Sequence, residues 1–348
     1  MARVGVPRFD VTVRGAGIFG LSVAFACARR GARVRVIDPH GVGAGSSGGI
    51  VGALAPHVPE AWNAKKQFQL ESLLLAEGWW QAVAEASGLA TGYLRSGRVQ
   101  PLADARAVEV ARARAVTAAA LWGGAAEWRV ERAAGGWEPV SPTGFVVRDT
   151  LSARIAPRAG LAALAAAVRA YGGEVTGEAE EAGAVVHATG LAGLEALSAG
   201  LGRVVGGGVK GQAAALRYEA GEMAQLFVDG LHIVPHGDGT VAIGSTSEAV
   251  WTDMGTDAAL EALVAKAVAA VPVLAGTEVV ERWAGVRPRA RSRAPMLGVW
   301  PGRAGHYVAN GGFKIGFGMA PKVAEVMADL VLEGCYLIPA EFAVEASL

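Results

Sequence analysis

Residues 10–38 constrain the fold of this chain more than any other stretch. A short β-prone run, DVTVR, leads to Gly15, Gly17 and Gly20, an Ala-rich helical segment follows, and a second strand ends at Asp38, 18 residues after the last glycine. This order of strand, glycine turn, helix, strand and acid predicts a βαβ unit. Because a helix N-terminus favours negative charge, such a turn is typical of a site for the phosphates of a dinucleotide.

Each glycine of this turn has its own predicted task. Gly15 allows the backbone angles of a tight turn, Gly17 lets a pyrophosphate approach the main chain, and Gly20 allows the helix to pack closely on the strand. Asp38 is placed to accept hydrogen bonds from a ribose 2′-OH and to repel a 2′-phosphate, so NADP is disfavoured. The alternative is a glycine-rich turn without a ligand, and Arg14 departs from the aliphatic residue usual at its position.

Length, charge and cysteine content exclude several classes of protein. The 348 residues suffice for two domains, because single cores seldom grow past about 250–300 residues. Lysine plus arginine and aspartate plus glutamate each total 32, which does not favour nucleic acid or an anionic membrane as partner. Cys27 and Cys335 have no metal-ligating spacing, so we expect no metal. Without a signal peptide or a membrane-length apolar run, a cytoplasmic protein is expected.

Periodicity and breakers place further elements along the chain. A small-residue loop at 41–60 is interpreted as wrapping a ligand or, alternatively, as a flexible surface loop. His187 is interpreted as a core or strand-end histidine, with a functional role as the alternative. The predicted helices are 66–87, two stretches within 103–121, 157–171, 258–271 and 320–332, and the predicted strands are 98–102, 184–190, 209–216, 226–235 and 240–245.

Six motifs, in matching order over nearly the whole chain, resemble the D-amino-acid oxidase superfamily of flavoproteins, in particular its glycine oxidase and sarcosine oxidase branches. They are GAGIFG with Asp38, GSSGGIVGALAP, KGQ at 210–212, HIVPHGDGTVAIGSTSE, WAGVRPRARSRAPMLG and ANGGFKIGFG. The resemblance implies FAD, with the adenine half on the βαβ unit and the isoalloxazine near the 43–52 loop and the 310–318 turn. Neither cysteine matches the family's attachment position, so the FAD is expected to be non-covalent.

The resemblance also implies a fold and a set of FAD contacts. The fold class is mixed α/β and α+β: a discontinuous, Rossmann-like FAD-binding domain of the GR2 type with an antiparallel-sheet substrate domain. The predicted segments are 8–60, 145–205 and 285–348 for the FAD-binding domain, and 61–144 and 206–284 for the substrate domain. The expected FAD contacts are Gly15, Gly17, Ile18, Phe19, Gly20, Asp38, Ser46, Ser47, Gly52, Ala188, Thr189, Gly190, Gly311, Gly312, Phe313, Lys314 and Ile315.

Three residues are candidates for the chemistry. By its place in WAGVRP, Arg287 matches the carboxylate-binding arginine of glycine oxidases, and a guanidinium can bind a carboxylate with two parallel hydrogen bonds. Lys314 matches the lysine of sarcosine oxidases near the flavin. The alternative for both is a solvated surface cation. His232 stands where glycine oxidases commonly carry a tyrosine, which points to a different substrate; its alternative role is cross-strand packing.

The function implied by the resemblance is the oxidation of a small amine-bearing carboxylic acid. A hydride passes from the carbon next to nitrogen to flavin N5, and the resulting imine hydrolyses to an oxo acid and an amine, with molecular oxygen or another electron acceptor. A homo-oligomer is compatible with this. Two alternatives stay open: an enzyme like the oxidase domain that removes a carboxymethyl group from tRNA wobble uridine, although the methyltransferase domain and a basic charge are absent, and a non-catalytic FAD-binding subunit.

Overall fold

The computed structural model describes residues 9–348. The start of the first predicted FAD-binding segment, at residue 8, lies outside the described residues. Within them, the α-helices are α1 Ile18–Arg29, α2 Ala64–Ser87, α3 Ala105–Trp122, α4 Pro157–Ala170, α5 Gly190–Leu201, α6 Ala258–Ala270 and α7 Gly316–Ala328.

The strands are β1 Val11–Arg14, β2 Val34–Ile37, β3 Ala53–Leu54, β4 Arg98–Pro101, β5 Trp128–Arg132, β6 Phe145–Asp149, β7 Ala153–Arg154, β8 Glu174–Thr176, β9 Ala184–His187, β10 Gly206–Arg217, β11 Gln225–Val228, β12 Leu231–Pro235, β13 Thr240–Gly244, β14 Val279–Ala290, β15 Met296–Val299 and β16 His306–Asn310. They form a six-stranded sheet, an eight-stranded sheet and the small pair β3–β7.

The six-stranded sheet contains the predicted βαβ unit. Its order is β15-β16-β9-β1-β2-β8, with β1 parallel to both β2 and β9 and β15 antiparallel at one edge. The helix α1 leaves β1 through the glycine turn and packs against α4 and α7. It is buried along almost its whole length, because its small side chains let the sheet and both helices approach closely.

The eight-stranded sheet forms the second layer, in the order β14-β10-β13-β12-β11-β4-β6-β5. Its neighbours are antiparallel except for the parallel pair β11–β4. One face is covered by α6, and the apolar residues between them, including Leu216, Ile243 and Leu260, are fully buried. The predicted fold class, a Rossmann-like α/β unit with an antiparallel sheet, is confirmed.

Two strands of the large sheet lie partly or wholly within predicted FAD-binding segments. β6 begins at the predicted limit of 145 but pairs with β4 and β5 in the large sheet. β14 runs through the predicted limit at 285, because its pairing with β10 continues to the Gly206–Ala290 pair. The chain therefore leaves the large sheet later than predicted, and the division into domains stays a prediction.

Three predicted elements differ locally. The two helical stretches predicted within 103–121 are the single helix α3, because Asp104 caps its start by accepting from the Ala107 N–H and no glycine interrupts it before Gly123. The strand predicted at 226–235 is the hairpin β11–β12, whose turn residues Asp229 and Gly230 have φ of 46° and 80°.

The last helix begins earlier than predicted. α7 starts at Gly316, whereas the sequence placed its start near residue 320, where Pro321 is typical of a first helical turn. The proline instead lies inside the helix. Within residues 9–348, none of the helices has both the length and the apolar character needed to cross a membrane.

Candidate active site

A cavity of about 500 Å³ lies between the two sheets and is lined by residues from both. Parallel strands of the first sheet bring their carboxyl ends to it, as is usual for ligand sites in such sheets. The lining includes all three predicted catalytic residues, His232, Arg287 and Lys314, and the predicted FAD contacts Gly15, Gly17, Ile18, Phe19, Asp38, Ser46, Ser47, Ala188, Thr189, Gly190, Gly311, Gly312 and Phe313.

The glycine turn at one end of the cavity is fixed by close main-chain contacts. Gly15 has a φ of 103°, and a Cβ built on it would lie 2.4 Å from the carbonyl oxygen of Ala188. The Ile18 N–H donates to the Ser47 hydroxyl at 3.1 Å, which ties the small-residue loop to the start of α1. Gly17, the cap residue of α1, supplies no side-chain hydrogen bond, so the helix N-terminus keeps donors for an anion.

Asp38 fastens this turn from the end of β2. Its carboxylate accepts from the Ala16 N–H at 2.8 Å and from the His40 N–H at 3.0 Å. A carboxylate has about four lone-pair sites, so it keeps room for the hydroxyls of a ribose. The acid predicted to read the ribose thus also shapes the phosphate turn.

Three predicted contact residues lie outside the lining and support it instead. A Cβ built on Gly20 would lie 2.0 Å from the carbonyl oxygen of Gly15, and one on Gly52 would lie 1.9 Å from that of Ile155. Both glycines therefore allow backbone segments to cross at close range. The N–H of Ile315 donates to the carbonyl of Gly312 at 2.9 Å and closes the turn before α7.

The second glycine-rich turn joins both halves of the cavity. The side chain of Asn310 donates to the carbonyl of Gly190 at 2.8 Å, at the first residue of α5. Gly311 has a φ of 73° and Phe313 a φ of 44°, which is rare for a bulky residue and places the Phe313 ring in the cavity wall. The motif ANGGFK thus holds an aromatic ring and Lys314 at the site.

Arg287 lies on β14 with its guanidinium flat over Gly211 of β10. A Cβ built on Gly211 would lie 2.4 Å from Nη2 and 2.5 Å from Cζ of Arg287, so a side chain there would displace the guanidinium. Nη1 donates to the Ser245 hydroxyl, and Nη2 donates to the carbonyls of Thr246 at 2.7 Å and Lys210 at 3.3 Å. Two of the five guanidinium N–H groups remain, including a buried Nε–H without a partner in the described chain.

Burial lowers the pKa of Arg287 to about 10, partly offset by the Glu248 carboxylate nearby. The guanidinium stays charged at neutral pH. Within residues 9–348, the guanidinium donates hydrogen bonds to one hydroxyl and two carbonyls and to no carboxylate. A buried cation with free donors beside a cavity is suited to bind an anion.

A polar cluster that the sequence did not predict stands behind Arg287. Lys210 is 2 % exposed and its ammonium lies 3.5 Å from the Glu248 carboxylate. The Gln212 amide donates to Glu248 at 3.0 Å and to Asp257 at 2.9 Å, and the Thr246 hydroxyl also donates to Glu248. The KGQ motif carries these groups, but only the strand pairing reveals that they hold the segment that contacts Arg287.

His232 lies on β12 and is stacked at an angle on Phe227, with ring centroids 4.7 Å apart. Burial, with the positive charges of Arg98 and Lys314, lowers the pKa of His232 to about 3. Its Nδ1 is buried without a partner among the described residues. This histidine is therefore neutral at pH 7 and adds no charge to the cavity.

Lys314 and Trp283 complete the wall around Arg287. Burial and the charge of Arg287 lower the pKa of Lys314. The Trp283 ring lies over Gly285, where a Cβ would be 2.4 Å from Cζ2, and it reaches Gly49 of the small-residue loop. Sequence reasoning missed Trp283; its signal is the glycine two residues later on the same strand face.

His187 and the cysteines lie outside the cavity lining. His187 Nε2 is 3.0 Å from His306 Nδ1, and the ring packs against Trp300 at 4.6 Å. Burial and the neighbouring His306 lower the pKa of His187 to about 4. Cys27 is buried in α1, and Cys335 is exposed.

The residues present fit an FAD. The N-terminus of α1, whose cap residue Gly17 has no side chain, and the close glycine turn suit a pyrophosphate, Asp38 suits a ribose, and the cavity continues to the second glycine turn between the sheets. The cationic Arg287 and Lys314 lie at that far end. One end of the cavity therefore suits the phosphates of an adenosine dinucleotide, and the other end carries two cationic side chains.

Known proteins share this fold and are similar to this chain in sequence. Glycine oxidase of Geobacillus kaustophilus is 27% identical over 365 residues, covering 93% of each protein. Its crystal structure superposes with a TM-score of 0.85 at 22% identity, covering 97% of this chain and 98% of that one. Glycine oxidase of Pseudomonas putida is 35% identical, but the match spans only 36% of this chain and 35% of that protein.

A family model described as FAD dependent oxidoreductase matches residues 10–330, which is most of the chain. The match contains the glycine turn, Arg287 and Lys314 in one continuous stretch. The chain belongs to this family of FAD-dependent oxidoreductases.

Proposed function

We propose that this protein oxidises a small amine-bearing carboxylic acid, of the amino acid or N-alkyl amino acid class, at the carbon next to nitrogen. The observation that carries the proposal is Arg287, a buried guanidinium in the cavity lining, two of whose N–H groups have no partner within residues 9–348. A carboxylate satisfies both its charge and its remaining donors. The glycine oxidases among the relatives support the same substrate class.

Bound FAD supplies the acceptor for a hydride from that carbon, which leaves an imine that water hydrolyses to an oxo acid and an amine. The chain's own residues orient the substrate. Arg287 fixes the carboxylate, and the sheet above the cavity limits the positions that the reacting carbon can take. Orientation of this kind is the main contribution a protein makes to such a reaction.

The charges of the site also prepare the amine. Hydride loss requires the amine lone pair, so the bound substrate must be deprotonated at nitrogen. Arg287 and Lys314 disfavour an additional positive charge between them and so lower the pKa of a bound ammonium group. His232, neutral at pH 7, does not oppose this effect and shapes the roof above the substrate.

We propose that the FAD is held without a covalent bond and that the residues predicted to contact it do so. Cys27 is enclosed within α1 and Cys335 lies on the surface, and neither lines the cavity. Denaturation in acid or detergent, followed by filtration, separates free FAD from the chain if this is correct. Flavin that stays with the polypeptide contradicts it.

Anaerobic reduction of the flavin tests the reaction itself. Purified protein loaded with FAD is mixed with glycine, sarcosine, D-alanine, L-alanine and proline, and the visible flavin absorbance is followed. We expect at least one of these compounds to bleach the flavin and a 2-hydroxy acid of matched size to leave it unchanged. If no amine-bearing acid bleaches it, the proposed reaction is wrong and a non-catalytic FAD protein becomes the better description.

A further inference from the structure

Three cationic side chains converge on the ring of Phe313 in the cavity wall. Arg287 Cζ lies 5.4 Å, Arg289 Cζ 5.6 Å and Lys314 Nζ 5.9 Å from the ring centroid. Arg287 is buried and Lys314 is exposed, and both line the cavity. Arg289 is exposed and follows the lining residue Pro288 without lining the cavity itself. A carboxylate bound to Arg287 leaves the charges of Arg289 and Lys314 without an anion.

Strand geometry sets the spacing of the two arginines. Arg287 pairs with Val209 and Arg289 with Gly207, so both belong to the same face of β14. Residues two apart along a strand are separated by about 6.6 Å. That is the scale on which two carboxylates of one small molecule are separated.

These cations lack compensating acids. Within residues 9–348, neither Arg289 nor Lys314 forms an ion pair, whereas Arg282 on the same strand pairs with Glu261 at 2.8 Å. The acidic side chain in the cavity lining of the described chain is Asp38, which is bonded to the glycine turn at the opposite end. Glu248, near Arg287, is engaged with Lys210 and Gln212.

We propose that the substrate carries a second carboxylate, which Arg289 and Lys314 bind while Arg287 binds the first. Three like charges around one ring repel each other, and a dianion relieves this repulsion where a monoanion leaves it in part. The substrate class is then an amino acid with a second acid group on its nitrogen or on its side chain. This inference rests on the proposed function and assigns Arg289 as a specificity-determining residue.

Matched substrate pairs test the inference. Iminodiacetate differs from sarcosine, and aspartate from alanine, by one carboxylate. We expect kcat/KM to be about tenfold or more higher for the diacid of at least one pair, the effect of one charge-assisted contact. Arg289→Met should bring that ratio close to one, while Arg282→Met, on the same strand but paired with Glu261, should keep it. Equal values in both pairs, or a ratio unchanged by Arg289→Met, overturn the inference.

A binding measurement separates this inference from the proposed reaction. Succinate and butyrate are titrated into the FAD-loaded protein, and binding is followed by calorimetry and by the change in flavin absorbance. We expect succinate to bind about tenfold more tightly, with the difference lost in Arg289→Met and retained in Arg282→Met. If no amine reduces the flavin, the proposed function fails while this measurement still decides the second anion site. Equal dissociation constants for the two acids overturn it.

Discussion

The two ends of the cavity are built in different ways. At the end with the βαβ unit, the site is built from glycines and main-chain groups: Gly15 and Gly20 bring backbone segments together, and Asp38 holds the turn by accepting from main-chain N–H groups. At the opposite end, charged side chains dominate. Arg287 there donates to the carbonyls of Lys210 and Thr246, which are far away in sequence.

The two ends of the cavity should therefore respond differently to substitution. The glycine end has no free volume. A single added methyl group would overlap a carbonyl oxygen, and that oxygen can move only if the two packed backbone segments move apart. The charged end depends on orientation, because its cations keep their charge even when they are displaced. Substitutions at the glycine end should therefore reduce stability and FAD binding, and those at the charged end should weaken substrate binding.

Gly20→Ala tests the volume-limited end and has the largest expected effect. The new Cβ would lie 2.0 Å from the Gly15 carbonyl, so α1 must move off β1. We expect the free energy of unfolding to fall by about 3 kcal/mol and bound FAD to be lost. Urea unfolding and the flavin-to-protein absorbance ratio measure both. Gly78→Ala in α2, where a Cβ meets nothing within 4 Å, should instead be neutral or stabilising; equal losses in both variants would refute the packing argument.

Gly211→Ala tests the charged end without touching a charge. The added methyl group would overlap the Arg287 guanidinium and displace it, so the effect should approach that of Arg287→Ala. We expect KM for the amine substrate, and the Kd of acetate, to rise on the order of a hundredfold, with FAD content unchanged. Gly207→Ala on the same strand meets nothing within 4 Å and is the matched control. Loss of FAD in Gly211→Ala would contradict the separation of the two ends.

The glycine end could be predicted from the sequence because its determinants are local. Gly15, Gly17, Gly20 and Asp38 fall within one βαβ unit, and the structure brings them to one turn as expected. The errors in the predicted strand and helix boundaries arise where two local sequence patterns conflict. Asp229-Gly230 lies inside an alternating run that hides the turn, and the helix predicted at 320–332 begins earlier, at Gly316, and continues through Pro321.

The charged end could be predicted only in part, since its geometry depends on distant pairings. The motif resemblance pointed to Arg287 and Lys314, yet nothing nearby in sequence indicates that Arg287 lies over Gly211 or donates to Lys210, 77 residues away. The registry of β10 against β14 creates both relations. Without this strand register, the sequence does not distinguish an arginine fixed by hydrogen bonds from a solvated one.

Glu248→Gln tests how far the cluster behind Arg287 positions it. The amide keeps a hydrogen-bonding oxygen but leaves the buried Lys210 ammonium with only Asp253, at 3.9 Å. We expect a loss of about 2 kcal/mol in the free energy of unfolding and a KM about tenfold higher, with a smaller change in kcat. Adding Lys210→Met should recover most of the stability but not the KM. If the double variant recovers both the stability and the KM, the cluster has only a structural role and does not position Arg287.

The exposed pair of Arg217 and Glu278 supplies the control for that experiment. It lies at the far end of the same β10–β14 pairing, with its charged atoms 3.0 Å apart. Glu278→Gln should change the free energy of unfolding by no more than about 0.5 kcal/mol and leave KM unchanged. An equal rise of KM in Glu278→Gln would show that any charge change in this sheet disturbs the site.

The smallest expected effect concerns His232, which lies at the charged end but carries no charge. With its pKa lowered to about 3, it stays neutral in the folded protein, so kcat/KM should show no ionisation of this group between pH 5 and 8. In the unfolded chain it takes up a proton near its usual pKa of about 6.5, so stability falls as the pH drops from there toward 3. Relative to His232→Gln, the wild type should lose about 1 kcal/mol per pH unit in this window. Parallel stability profiles for the two proteins would mean that His232 is protonated in the folded protein. The charged end of the cavity would then contain a third cation beside Arg287 and Lys314 and no neutral histidine.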